Sequence, residues 1–115
     1  GLGCRGELAY RYDLPPVVNA PEPTEIARLA VKSAAGADAL VTPVPSMGGE
    51  DFALFQEKIP GCFLWLGVGN PEAGTVYPWH SPFFAADENS LSAGAAVLAQ
   101  SALLALERLS AKSLR

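Results

Sequence analysis

Cys62-Phe63-Leu64-Trp65-Leu66-Gly67-Val68 is the stretch whose reading decides the fold. It is apolar almost throughout, with Pro60-Gly61 before it and Gly69-Asn70-Pro71 after it. So short and so apolar a run between turn residues predicts a central strand covered on both faces. On its N-terminal side, Phe52, Phe55 and Ile59 recur at helical spacing and predict a helix over Asp51–Lys58. Gly48-Gly49-Glu50-Asp51 opens that helix and Pro60-Gly61 ends it. On the other side, Leu91, Ala95, Leu98, Ala102, Leu106 and Leu109 predict a long amphipathic helix, capped by Asp87 or Asn89. Gly94 inside it costs roughly 1 kcal/mol against alanine, so a close backbone approach is expected there. Both helices should pack over the apolar run, and the tail from Lys112 onward should fray.

Farther out, Glu7–Tyr12 alternates, with Leu8, Tyr10 and Tyr12 on one face, as in a half-buried edge strand. Asp13-Leu14-Pro15-Pro16 ends it, and residues 15–23 carry four prolines, which reads as a linker and domain boundary. A helix is expected from Pro23-Thr24 to Gly36 with Ile26, Leu29, Ala30 and Ala34 as its apolar stripe. Ala39–Thr42 reads as a short buried strand stopped by Pro43 and Pro45. After the linker the order is helix, strand, helix, strand, loop, helix, which predicts an α/β layer structure. Two strands cannot cover a sheet by themselves, so the pattern resembles half a sheet with partners missing.

The chain has 115 residues, half of them apolar and 17% charged, which excludes a disordered chain and fits a single soluble domain. A net charge of −4 leaves no basic stripe to neutralise phosphates, so nucleic acid is not expected as a partner. The two cysteines, Cys4 and Cys62, form no CxxC pair and read as reduced thiols of a cytoplasmic protein. Gly1 to Arg5 show no charged segment leading into an apolar core, so no secretory leader is expected. The tract Leu91–Leu109 is interrupted by Ser92, Gln100, Ser101, Glu107 and Arg108, which suits a packed helix better than a membrane span.

Chemistry concentrates between Ser46 and Phe84. His80 is the single histidine, set between Pro78 and Pro82 in an aromatic-rich loop after the apolar run. Imidazole is the commonest metal ligand and titrates near neutrality, yet a loop histidine can also simply hydrogen-bond a carbonyl. Gly48-Gly49 before a helix start could cradle an anion with free N–H groups, but Glu50 and Asp51 compete for that positive end. The other reading of this turn is a tight corner whose carboxylates cap the helix. No HExxH, GxSxG or P-loop spacing is present, so no complete catalytic site can be assembled from these residues.

Ser46-Met-Gly-Gly-Glu-Asp-Phe-Ala53, Pro60-Gly-Cys-Phe-Leu-Trp-Leu-Gly67 and His80-Ser-Pro-Phe-Phe84 followed by Asp87-Glu88 resemble, in order and spacing, the C-terminal end of M20-family metallo-amidohydrolases. The branch they resemble includes hippurate hydrolases, N-acyl-amino-acid deacylases and auxin-conjugate hydrolases. The resemblance implies that residues 1–14 end an inserted lid or dimerisation domain. Residues 15–23 would link it to the C-terminal part of the catalytic α/β domain, residues 24–115. It implies a parent enzyme holding two divalent metals, zinc or manganese, that hydrolyses N-acyl amino acids or short peptides with a metal-activated water. His80 takes the position of a metal ligand, and Gly48, Gly49, Glu50 and Asp51 border the substrate pocket or stand behind the ligands. The catalytic glutamate and the other ligands of that family have no counterpart here, so no catalytic residue is expected in this chain and at most one ligand. Cys4 precedes the lid-return strand and is not the family's cysteine ligand. The alternative to a partial hydrolase is a non-catalytic α/β interaction module or truncated gene product, and either could self-associate through exposed sheet edges.

Overall fold

The computed structural model describes residues 2–113, with three α-helices joined by long irregular segments. Helix α1 spans Pro21–Ala35, a 3₁₀ turn follows at Ala37–Ala39, α2 spans Phe52–Gln56, and α3 spans Asn89–Ser113. Proline at the start of α1 lacks an N–H that would have no partner there, and Thr24 Oγ1 donates back to Ala20 O at 2.7 Å. The helix therefore begins inside the expected linker, two residues before Pro23. Gly36 stops it with φ +91°, a left-handed value that an L side chain resists.

α1 packs against α3, and the buried side of α1 is Ala27, Ala30 and Val31. Of the expected stripe only Ala30 is buried; Leu29 is 38% exposed. Small side chains let two helix backbones approach closely, which selects the alanine face over the Leu29 face. The two helices run antiparallel, because Lys112 near the end of α3 donates to Glu22 at the start of α1 at 2.6 Å. Lys112 is thus helical and paired rather than frayed. On α3 the half-buried positions include Gly94, Val97, Ser101, Leu104, Ala105 and Arg108. The expected stripe faces elsewhere: Leu91, Leu98, Leu106 and Leu109 are 57%, 75%, 60% and 63% exposed. The helix has two apolar faces, and the one containing Gly94 is the packed one. By length and composition alone α3 is long and apolar enough to cross a membrane, with a mean hydropathy of 1.3 over its most apolar window.

The expected α/β layer is overturned. Among the described residues the β pairing is confined to one isolated antiparallel bridge, Asn70 with Thr75, and there is no sheet. Glu7–Tyr12 lies exposed outside any ladder, although Tyr10 and Tyr12 meet edge to face at 4.7 Å, as alternate residues of an extended chain can. Ala39–Thr42 begins in the 3₁₀ turn and continues unpaired. Cys62–Val68 is neither a strand nor buried on both faces, since Leu64, Trp65 and Leu66 are 43%, 52% and 44% exposed. The physical reason is that a strand is stabilised by a neighbour, and these three segments are not brought side by side. Side chains occupy the run instead. Asn19 Oδ1 accepts from Phe63 N at 2.8 Å and Asn19 Nδ2 donates to Phe63 O at 3.0 Å, while Ala20 N donates to Gly61 O at 2.9 Å. The sheet edges expected to drive self-association disappear with the sheet.

The two flanking helices do reach the run. Phe52 of α2 meets Phe63 at 5.5 Å, and a Cβ on Gly94 of α3 would lie 2.7 Å from Leu66 Cδ2. The close approach expected at Gly94 is therefore present. Beyond these contacts little is enclosed. The surface of 9692 Å² compares with about 6000 Å² for a compact protein of 12.0 kDa. The radius of gyration of 19.2 Å likewise exceeds the roughly 13 Å of a compact domain this long.

Candidate metal-binding loop

The segment after the apolar run folds by turn chemistry. Asn70 and Thr75 exchange both backbone hydrogen bonds, 3.1 and 3.0 Å, and close a four-residue turn, Pro71–Gly74. Asn70 Oδ1 accepts from Glu72 N at 3.0 Å, the side-chain turn that asparagine before proline favours. Gly74 takes φ +74° at the end of this turn. The other side of the Asn70 amide reaches across the loop, where Nδ2 donates to Asp87 Oδ2 at 2.7 Å. Asp87 N donates to Val68 O at 2.9 Å, so residues 70 and 87 form the neck of the loop. Asp87 Oδ1 also accepts from Asn89 N at 3.0 Å and caps α3. These donors, the Asn70 amide first and the Asn89 N–H next, hold the Asp87 carboxyl below its ordinary range.

Within the loop, Ser81 N donates to Pro78 O at 3.2 Å and Phe84 N donates to Ser81 O at 3.1 Å, two consecutive turns. His80 is the third residue of the first turn and has φ +67°, the single non-glycine positive φ among the described residues. That pattern is a type II turn, a place where glycine or asparagine is usual. An L-residue held there costs roughly 1–2 kcal/mol. The surroundings enforce it. Trp79 stacks on Trp65 with centroids 4.5 Å apart and planes 15° apart, and Tyr77 packs on Phe83 at 5.5 Å across the His80 turn.

The His80 side chain is exposed and, among the described residues, makes no hydrogen bond. The carbonyl-bonded histidine that the sequence left open is thus not what the structure contains. As a donor this imidazole suits a divalent metal, being accessible, uncommitted and carried on a braced turn. A protein metal site needs three or four ligands. Among the described residues no group of three or more His, Cys, Asp or Glu is placed to hold an ion, so these residues by themselves form no complete metal site. Both thiols, exposed Cys4 and half-buried Cys62, are free.

The Gly48–Asp51 turn lies elsewhere. Glu50 Oε1 accepts from Phe52 N at 3.2 Å and Ser46 Oγ accepts from Gly48 N at 3.2 Å. A Cβ on Gly49 would sit 3.2 Å from Leu14 Cδ1, so glycine there admits the segment that leads in from the N-terminus. Glu50 is committed to its own turn, while Asp51 is exposed. Neither carboxylate bonds to His80 among the described residues. The two sites are connected by rings: Phe52 to Phe63 at 5.5 Å, Phe63 to Trp65 at 5.6 Å, and Trp65 to Trp79 at 4.5 Å. Sequence reasoning passed over Asn70, Asp87 and Asn19 as site-shaping residues. The Asn70-Pro71 pair was the available signal for the first, since asparagine before proline favours a side-chain turn.

The sequence profile of peptidase family M20/M25/M40 matches residues 5–104. The chain belongs to this family. Among the relatives of this M20 chain is a probable hydrolase, sll0100, of Synechocystis, 38% identical over 87% of the chain and 26% of that protein. N-acetylcysteine deacetylase of Bacillus subtilis is 36% identical over 93% of the chain and 26% of that protein. IAA-amino acid hydrolase ILR1-like 6 of Arabidopsis thaliana is 53% identical over 44% of the chain and 11% of that protein. The M20 chain therefore spans about a quarter of the length of the first two. No solved structure matches it.

Proposed function

We propose that this chain is the C-terminal part of a metal-dependent amidohydrolase that cleaves the amide bond of N-acyl amino acids or short peptides. Membership of the M20 family supports the reaction class. The names of two relatives, an N-acetylcysteine deacetylase and an IAA-amino acid hydrolase, support an N-acyl amino acid as substrate. The observation that carries the reading is His80: a solvent-facing imidazole with no hydrogen-bond partner among the described residues, held at φ +67° by stacked and hydrogen-bonded neighbours. Backbone strain of this kind collects where a side chain must be presented rather than packed.

In this reading His80 is a ligand to a divalent ion, zinc or manganese. A metal held there supplies Lewis acidity to the amide carbonyl and acidifies a water. The remaining ligands and the catalytic base come from parts of the protein beyond these residues. Gly48, Gly49, Glu50 and Asp51 would border the substrate, with Glu50 keeping its turn rigid through the Phe52 N–H. Residues 1–14 would end a lid domain and residues 15–23 would join it to the catalytic part. Asn19 and Ala20 make that junction firm through their bonds to Phe63 and Gly61. The protein would act in the cytoplasm.

His80→Ala in the complete protein tests the reading. The expected result is a loss of bound metal and of kcat by several orders of magnitude, with the melting temperature of the metal-free protein unchanged, because alanine leaves the left-handed backbone as strained as histidine does. Full metal content with near-normal turnover would refute the assignment.

A further inference from the structure

The neck of the His80 loop is polar, and it is built from Asn70 and Asp87. Asn70 and Asp87 lie seventeen positions apart and bond directly at 2.7 Å. Each is anchored on its own side. Asn70 is fixed by its bridge to Thr75 and by the Glu72 N–H on its Oδ1. Asp87 is fixed by Val68 O and by the first turn of α3. The orientation of the loop relative to α3 therefore passes through this amide–carboxylate bond and the Asp87 N–Val68 O bond beside it. Among the described residues the His80 side chain makes no hydrogen bond, so its direction is inherited from the neck and from the Trp79–Trp65 stack.

We infer that Asn70 and Asp87 are positioning residues, whose bond sets the direction in which His80 presents its imidazole to the metal. This rests on the reading of His80 as a ligand. The pair is charge-assisted and short, the type of hydrogen bond that adds directional rigidity. It also explains why Asp87 is an aspartate rather than any good helix cap. Serine would cap α3 equally well but could not span to the Asn70 amide.

The test is a swap in the complete protein, read by two measurements. Asn70→Ala removes the bond and leaves Asp87 free to cap α3. Asn70→Asp sets two carboxylates against each other, and the double variant Asn70→Asp with Asp87→Asn restores an amide–carboxylate pair of reversed polarity. Hydrogen exchange of peptides from the loop should rise at least tenfold in Asn70→Ala and Asn70→Asp and return in the double variant, with α3 peptides unchanged in Asn70→Ala. Metal retention against a chelator should fall about ten- to a hundredfold in the single variants and recover in the swap. Unaltered loop exchange in both single variants would overturn the inference, whatever His80 does. Loosened and rescued exchange with metal retention unmoved throughout would overturn the positioning role, whereas full metal content in His80→Ala would remove the reading it rests on.

Discussion

The His80 loop and the apolar run Cys62–Val68 are neighbours in sequence and opposites in construction. The loop is built mostly from its own residues, with the Trp79–Trp65 stack as its link to the run. Its turns, its Asn70–Asp87 neck and its Tyr77–Phe83 contact come from residues between 68 and 89. The run depends on others. The Phe63 peptide is met by Asn19 and the preceding Gly61 carbonyl by Ala20 N, and the large side chains Leu64, Trp65 and Leu66 stay about half exposed. The difference is one of range. Turn chemistry needs partners a few residues away, whereas strand burial needs whole layers from elsewhere in a chain. A loop can therefore be folded in a segment whose core is not.

The largest expected effect falls on the dependent region. Asn19→Ala removes both bonds to the Phe63 peptide and should cost about 2 kcal/mol, at roughly 1 kcal/mol per hydrogen bond. Denaturant unfolding measures it. A cost within error of zero would mean the run holds its place without the Asn19 clamp.

The loop should respond in the opposite direction. His80→Gly relieves the left-handed strain and should stabilise the metal-free protein by about 1 kcal/mol while abolishing metal binding at this position. Destabilisation instead would show that His80 contributes packing and is not held under strain for presentation. The chemistry of the Asp87 neck adds a pH dependence. Its carboxyl is depressed in the folded state, so the neck's contribution is fully present above the unfolded aspartate value. It is lost as pH falls through the lower folded value. Loop exchange should thus be constant through neutral pH and rise only in acid, below the ordinary aspartate range. A rise centred near pH 7 would contradict the assignment to Asp87.

These two regions also divide what could be read in the sequence from what could not. Asn70-Pro71, Gly74, the Pro78–Pro82 bracket and the Asp87 cap are local signals, and the loop they describe is present. His80 was legible as a candidate, though its left-handed backbone was not, because φ at a histidine is set by the Trp79 and Tyr77 contacts around it. The α/β layer failed for the complementary reason. Apolar composition says that Phe63 to Leu66 favour burial, but not that anything within these residues will bury them. The same limit misassigned α3: an alanine-rich helix has two usable faces, and the partner, α1 with Ala27 and Ala30, chooses the one with Gly94.

Two smaller effects sharpen the contrast. Gly94→Ala gains about 1 kcal/mol of helix propensity but drives a methyl into the end of the Leu66 side chain. Because Leu66 is 44% exposed it can swing away, so the net change should stay within about 1 kcal/mol. A loss well beyond that would show Leu66 locked in place and the run better packed than its exposure indicates. Smallest of all is Lys112→Ala. The Glu22–Lys112 pair is solvent-exposed and screened by salt, so its removal should leave the melting temperature unchanged at physiological ionic strength.

The central claim is that His80 is a metal ligand, and a crystal structure of the complete protein grown with zinc or manganese tests it most directly. The account predicts an imidazole nitrogen of His80 bonded to the metal, at about 2.0–2.1 Å for zinc, with the Asn70–Asp87 bond intact beneath it. A metal centre fully coordinated by other residues, with His80 facing solvent, would contradict it.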